Sequence, residues 1–217
     1  MHNSIPCVAR LPPAISLLAP AFAQQLRPID LPKPDTSGGR PLMQVLKERA
    51  IVREFRSEKL PPQVLSNLLW AAFGIHRPES GKRTAPSAVN RQEIDIYVAM
   101  KEGLYLYDAE GCRLQPVLAE DFRAKTGRDA FVREAPLNLI YMADFARMGN
   151  SSDQNKIFYS AADTGFISQN VYLYCTSEGL GTVVRGGVDR DALRKTMKLR
   201  PEQRVVRAQT VGYPRQK

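Results

Sequence analysis

Apolar residues recur at helical spacing in two long stretches of the chain. In residues 62–73 they follow two prolines and stop at Gly74, which predicts a helix with proline in its first turn. In residues 153–178 they recur every three or four positions up to Gly179, which predicts a long central helix. We expect this helix to be mostly buried, with an exposed apolar flank that suits a subunit interface.

Alternating apolar and polar positions predict strands in the rest of the chain. Residues 94–99 alternate in this way, and residues 104–107 follow after a short turn, so the two segments predict a hairpin. Further strands are predicted at residues 137–142, 182–184 and 205–211, and further helices at residues 43–50 and 191–198. The mixed order of helices and strands predicts an α+β fold.

A polar segment, residues 83–93 (RTAPSAVNRQE), separates a predicted helix from a predicted strand. Its serine, asparagine, glutamine and arginine side chains, with backbone N–H groups, could hold a planar anionic ligand, because loops braced by rigid elements often carry binding sites. On composition alone, an ordinary helix-to-strand connection is the preferred interpretation.

The N-terminal region is predicted to lie outside the folded domain. Residues 11–23 form a short apolar segment that ends in Ala21-Phe22-Ala23, the small-x-small pattern of a signal-peptidase site, so residues 1–23 predict a signal peptide and export to the periplasm. If they are not cleaved, they form an N-terminal extension of a cytoplasmic protein. Residues 24–41, rich in proline and glycine, predict an extended arm, and residues 42–217 predict the folded domain.

Composition narrows the class of protein. The chain has 217 residues, of which 43% are hydrophobic and 24% charged, as in a globular domain, and it contains no apolar run long enough for a membrane-spanning helix. Its net charge is +9, and residues 190–217 contribute +7 of it. A basic tail can indicate nucleic acid, a phosphate-bearing cofactor or a solvated face. Nucleic acid is the least favoured, because no nucleic-acid-binding motif accompanies the charge.

Few residues are available for metal binding or acid–base catalysis. The three cysteines form no C-x-x-C pair, and the only histidines are His2 and His76. These residues form neither a zinc motif nor a Ser-His-Asp arrangement with a G-x-S-x-G turn, so we predict no metal site and assign no catalytic residue.

Two short motifs allow a functional and a structural interpretation. Arg49 and Arg53 would share one face of a continued helix and could bind a phosphate, although cations are also common at helix C-termini. Gly186 and Gly187 follow a predicted strand and could let the backbone approach a flat ligand. They could equally form a tight turn before a helix capped by Asp189.

Four segments, in order, resemble the nitroreductase family of flavoproteins over residues 42–214. Residues 49–55 (RAIVREF) resemble the signature R-R-S-x-R-x-F, and residues 85–92 (APSAVNRQ) resemble A-P-S-x-x-N-x-Q. Residues 163–181 resemble the family's long central helix and the exit from it, and residues 211–214 (VGYP) resemble its closing motif.

The resemblance implies a three-layer sandwich with a mostly antiparallel sheet flanked by helices. It also implies a homodimer with FMN at the subunit interface, NAD(P)H as the electron donor and a small substrate such as a nitroaromatic compound or a quinone. By position, the cofactor-binding residues would be Arg49, Ile51, Arg53, Pro86, Ser87, Ala88, Asn90, Gly186, Gly187 and Arg215.

The chain departs from the family signature at the phosphate end. Ala50 and Ile51 replace an arginine and a serine, although the Ile51 N–H could still donate, and Arg215 is the candidate for a further phosphate-binding cation near the end of the chain. These departures leave two alternatives open. One is a flavin-binding dimer without turnover, and the other is a basic nucleic-acid-binding module.

Overall fold

The computed structural model describes residues 26–215, and its centre is a seven-stranded sheet in which every neighbouring pair is antiparallel. The strand order is β1-β6-β5-β4-β7-β9-β8. The strands are β1 (Ile29–Asp30), β4 (Ile94–Met100), β5 (Leu104–Asp108), β6 (Arg113–Leu118), β7 (Leu137–Asp144), β8 (Gly181–Arg185) and β9 (Gln203–Gly212), and a separate hairpin pairs β2 (Ile75–Arg77) with β3 (Lys82–Arg83).

Helices cover both faces of this sheet. They are α1 (Leu42–Glu48), α2 (Pro62–Phe73), α3 (Ala130–Glu134), α4 (Asp153–Ser177) and α5 (Arg190–Thr196). Every residue of β7 is buried, because its two faces enter different cores. Leu139 and Tyr141 join the core under α2 and α4, whereas Ile140 and Met142 join the core under α5. The alternation of strand side chains therefore produces the predicted three-layer α+β sandwich.

The long helix α4 has a defined start and stop. The Ser152 side chain accepts a hydrogen bond from the Asn155 N–H at its N-terminus, and Gly179 takes φ +70° after its last turn. Its large apolar side chains Ile157, Phe158 and Phe166 are exposed. The prediction of a long central helix with an exposed apolar flank is confirmed. The expectation that this helix is mostly buried is wrong for the single chain, because only eight of its 25 residues are buried.

The segment predicted to be a free arm packs against the domain. Ile29 and Asp30 pair with β6, and Leu31 is buried in the main core. The Ser66 hydroxyl donates to the Pro32 carbonyl 2.5 Å away, which ties the segment to α2. The segment is extended, as predicted, but the folded body begins before residue 42.

Some predicted features lie outside the described residues. The signal-peptide prediction falls on residues 1–23, for which the structure gives no description. Between residues 26 and 215, no helix combines the length and the apolar character that a membrane crossing requires. The basic tail, by contrast, is largely described, and it folds as α5 and β9.

Candidate functional site

The first candidate cluster lies on the segment after α1. Helix α1 ends at Glu48, and Arg49 already has an extended backbone with φ −53° and ψ 121°. Beyond it, the Val52 N–H donates to the Thr182 carbonyl at 3.1 Å, so the segment lies along the start of β8. The expectation that Arg49 and Arg53 share one helical face is therefore wrong, because the chain leaves the helix before Arg49.

The chain follows this path because a glycine allows close packing. A Cβ atom placed on Gly181 would lie 2.7 Å from a Val52 methyl carbon, so a larger residue there would displace the segment. The Arg49 guanidinium lies over the Tyr172 ring at 5.3 Å from its centroid, and Arg53 is exposed. Neither arginine forms a salt bridge with a described residue.

Arg215 joins the same cluster through the backbone. Its N–H donates to the Glu54 carbonyl at 2.9 Å, which places it beside Arg53, and its side chain is 3.5 Å from the Glu134 carboxylate. Ile51 is exposed, and its N–H donates to no acceptor within residues 26–215. The structure therefore brings Arg49, Ile51, Arg53 and Arg215 together, and we call this set the basic cluster.

The second candidate set is the polar loop of residues 85–93, which is tied to α4. The Ala88 N–H donates to the buried Asp163 carboxylate at 2.9 Å, and the Gln92 N–H donates to the Ser87 hydroxyl at 2.9 Å. Val89, Asn90 and Gln92 have left-handed backbones with φ 55°, 53° and 49°. For a β-branched residue such as Val89 this conformation is strained, and strain of this kind is concentrated at functional sites.

The loop leaves its candidate ligand-binding residues accessible. Pro86 and Asn90 are exposed, and Ser87 and Ala88 are half-buried. The composition of the loop favoured an ordinary helix-to-strand connection. It gave no sign of the three left-handed residues or of the buried carboxylate that holds the loop.

The third set is the turn after β8. Arg185 is buried and donates to the Thr126 carbonyl at 2.7 Å and to the Asn138 side chain at 3.1 Å, so the end of the strand is firmly anchored. Gly186 and Gly187 follow and are exposed, and a Cβ on Gly187 would meet no atom within 4 Å. The Asp189 side chain accepts from the Ala192 N–H and caps α5, so the turn also has its structural role.

Sequence reasoning missed a pair of buried carboxyl groups behind the loop. Glu93 is 0% exposed, and neither of its carboxylate oxygens has a hydrogen-bond partner in the described part of the chain. Burial, together with the neighbouring Asp163 carboxylate, raises the pKa of Glu93 to about 7. The only signal in the sequence was a charged residue directly before an apolar strand.

These features fit an FMN molecule. The basic cluster offers cations without carboxylate partners at Arg49 and Arg53 and an N–H without an acceptor at Ile51, as a phosphate requires. At Gly187 the backbone faces open space that a side chain would fill, so a flat ring can approach it. Arg49 and Arg53 would hold the phosphate end, and Gly187 would donate its N–H to the ring.

The antiparallel sheet between helical layers, with these three sets at its rim, defines an α+β sandwich of the nitroreductase type. The family model described as "Nitroreductase family" matches residues 46–213. The chain therefore belongs to the nitroreductase family of oxidoreductases.

Individual relatives agree with this assignment. A Methanocaldococcus jannaschii protein, "Putative nitroreductase MJ1384", is 32% identical over 169 residues, which cover 73% of this chain and 85% of the relative. A crystal structure of a "putative nitroreductase" from Ralstonia eutropha JMP134 is 40% identical, with a TM-score of 0.84 over 98% of this chain and 99% of that chain. A chain of the E. coli microcin synthetase McbBCD complex is 19% identical, with a TM-score of 0.69 over 97% of this chain and 85% of that chain, which shows a shared fold alone.

Proposed function

We propose that the protein is an FMN-dependent oxidoreductase that works as a homodimer, with NAD(P)H and a small reducible substrate using the same flavin in turn. Nitroaromatic compounds and quinones are the proposed substrate classes. The observation that carries the proposal is the arrangement of the basic cluster and the polar loop around α4.

The two sets lie on opposite edges of the exposed face of α4. The loop contacts α4 at Asp163, and Arg49 contacts it at Tyr172. Nine residues of α-helix correspond to a rotation of about 180° and a rise of roughly 13 Å. Within one chain, α4 therefore separates the loop from the basic cluster, and this separation supports a flavin site that takes one set from each of two chains.

The exposed flank of α4 supplies the surface for such a pairing. Phe158 and Phe166 are 66% and 49% exposed, and they lie between the two edges that carry the loop and the cluster. A second copy packed on this flank would bring its own loop next to the basic cluster of the first. Exposed aromatic side chains of this size are typical of protein–protein contacts.

Each set of residues has a defined task in this proposal. Bound FMN supplies the electron transfer, and the protein binds and orients it. Arg49, Arg53 and Arg215 would hold the phosphate, and the Gly187 N–H would donate to the ring. Four residues of a second copy would line the ring: Pro86, Ser87, Ala88 and Asn90. We also propose export for this chain on the basis of residues 1–23. Because nicotinamide cofactors are scarce outside the cytoplasm, export would make a different reductant the alternative to NAD(P)H.

A mixed-dimer experiment tests the shared site. Arg53→Ala removes a phosphate contact, and Pro86→Trp blocks the ring position at an exposed residue of the loop. Each variant alone is expected to bind FMN much more weakly and, at an FMN concentration that only the wild type binds, to show little NAD(P)H oxidation. When the two are co-expressed, a shared site gives mixed dimers with one doubly damaged and one intact site, so about half of the sites in mixed dimers recover.

The possible results separate the alternatives. No recovery in mixed dimers contradicts a site shared between two chains. FMN binding by the wild-type protein without reduction by NAD(P)H favours the flavin-binding dimer without turnover. Absence of FMN uptake by the wild-type protein contradicts the proposed function altogether. In the control pair, Arg194→Ala takes the place of Arg53→Ala and is co-expressed with Pro86→Trp. Arg194 is an exposed residue of α5 outside the basic cluster.

A further inference from the structure

A cavity lies between the N-terminal half of α4 and the start of β9. Its volume is about 520 Å³. Phe145 and Ile157 contribute apolar walls, and Arg190, Arg204 and Arg207 line the same space. The resemblance to the family assigned no role to these three arginines, although they belong to the basic tail.

An irregularity in β9 brings two of these arginines to one side. In a regular strand, residues three positions apart point to opposite faces. Between β7 and β9, Tyr141 pairs with Arg207 but Met142 pairs with Val205, so Val206 is an extra residue in β9. This bulge turns Arg204 to the same side as Arg207, and bulges of this kind often redirect side chains next to active sites.

The third arginine is held in place by backbone carbonyls. Arg190 donates to the Val205 carbonyl at 3.1 Å and to the Val206 carbonyl at 3.0 Å. Arg204 lies over the Phe145 ring at 5.7 Å from its centroid. A guanidinium beside an aromatic wall is a suitable environment for a ring that carries an anionic group.

The cavity keeps an excess of positive charge. Asp153 is the one acidic residue among those that line it, and none of the three arginines forms a salt bridge with a residue between 26 and 215. Three cations and one carboxylate give the lining a net positive charge. An anion that enters the cavity can therefore accept charge-assisted hydrogen bonds from the guanidinium groups.

The cavity adjoins the glycine turn of the candidate flavin site. Arg190 donates to the Gly186 carbonyl at 3.4 Å, and a Cβ on Gly186 would lie 2.7 Å from the Arg207 guanidinium. A substrate whose anionic end is bound by the arginines therefore has its other end beside Gly186 and Gly187. Arg207 and Gly186 are direct neighbours, so a single aromatic ring can extend from the arginines to the glycine turn.

We propose that this cavity is the subsite for an anionic aromatic electron acceptor, whose carboxylate or sulfonate is bound by Arg204 and Arg207. The inference rests on the proposed function, because it names the substrate class of the same site. The anionic group is not altered in the reaction. Reduction of a quinone to a hydroquinone consumes two electrons and two protons, which NAD(P)H and one proton from water supply. Reduction of a nitro group to a nitroso group consumes the same electrons and protons and releases the oxygen atom as water.

The test compares two nitro compounds of nearly the same shape, 4-nitrobenzoate and 4-nitrobenzamide, with the FMN-loaded protein. Wild-type kcat/KM is expected to favour the benzoate, and Arg204→Gln/Arg207→Gln should lower the benzoate value by about tenfold or more, because charge-assisted hydrogen bonds are lost. The benzamide value and kcat/KM for NAD(P)H should stay within about twofold. Arg194→Gln/Lys195→Gln, which removes the same charge from the exposed face of α5, should leave all three values unchanged.

A binding measurement keeps this inference separate from the proposed function. Calorimetric titration with 4-nitrobenzoate should show weaker binding to the double arginine variant than to the wild-type protein, whether or not the compound is reduced. If neither nitro compound is reduced, the proposed function fails, while a loss of benzoate binding in the variant still supports the subsite. Equal binding of 4-nitrobenzoate by the wild type and the double arginine variant would overturn the subsite. So would an equally large loss of binding in the α5 variant, or a fall in kcat/KM for NAD(P)H alone.

Discussion

The two halves of the candidate flavin site are built in different ways. The basic cluster sits on a segment without left-handed residues, held by main-chain hydrogen bonds to β8 and to Arg215. Arg53 and Arg215 are exposed, and Arg49 is half-buried. The polar loop has three left-handed residues and is fixed by one buried carboxylate, Asp163, which lies beside a second buried acid, Glu93.

This difference indicates that the basic cluster attracts the phosphate of the ligand, whereas the polar loop orients its ring. Exposed guanidiniums draw a phosphate through charge, which tolerates small movements and is screened by salt. A strained loop held by a buried hydrogen bond can position a ring accurately, but it costs folding free energy. Changes in the basic cluster should therefore alter ligand affinity, whereas changes behind the loop should alter the stability of the fold.

The largest predicted effect lies behind the loop. The pKa of Glu93 is about 7 in the folded protein and 4.5 ordinarily, so between these values the unfolded chain releases a proton that the folded chain retains. Stability should fall as the pH rises from 4.5 to about 7 and then level off. Glu93→Gln should remove this fall and stabilise the protein above pH 7 by an amount on the order of 3 kcal/mol.

Denaturant unfolding of wild type and Glu93→Gln from pH 4 to 8 measures this effect. Glu79→Gln, a change at an exposed glutamate in the turn between β2 and β3, serves as the matched control and should leave the pH profile unaltered. Parallel profiles for wild type and Glu93→Gln would show that the buried pair does not titrate in this range.

A smaller effect is predicted in the basic cluster. Arg53→Ala should weaken FMN binding by roughly tenfold to a hundredfold, because one charge-assisted contact to phosphate is lost. Added salt should weaken FMN binding less in the variant than in the wild type. Fluorescence titration measures both, and the unfolding free energy should change little, because Arg53 is exposed. An equal loss of affinity in Arg194→Ala would count against the cluster.

The smallest effect tests the strain in the loop. Val89 is 86% exposed with φ 55°, so Val89→Asn loses little burial and gains a residue that tolerates the left-handed region. We expect a gain of about 0.5–1 kcal/mol in unfolding free energy. Val117→Asn, at an exposed position of β6 whose backbone is not left-handed, should give no gain. A loss of stability in Val89→Asn would show that the loop is not strained there.

Periodic segments were predictable from the sequence, and segments that depend on distant contacts were not. Helix α4 and strands β4 and β7 carry enough regularly spaced apolar residues to be recognised. Strand β6 was missed because it contains Pro116 and only Leu114 in it is fully buried, and a proline argues against a strand.

The candidate site shows the same division. Motif order identified the basic cluster, the loop and the glycine turn, but the spacing of Arg49 and Arg53 suggested a helix that ends at Glu48. The contact between Ala88 and Asp163 joins residues 75 positions apart, and the bulge at Val206 depends on pairing with β7. Neither has a local signal, because both arise from tertiary packing.

The central claim is that the chain binds FMN and passes electrons through it, and the visible absorption spectrum tests it most directly. The purified protein, after incubation with FMN and removal of free cofactor, should be yellow and should lose its flavin absorbance when NAD(P)H is added without oxygen. The absorbance should return when a quinone follows. A colourless protein that takes up no FMN, or bound FMN whose spectrum NAD(P)H leaves unchanged, would contradict the claim.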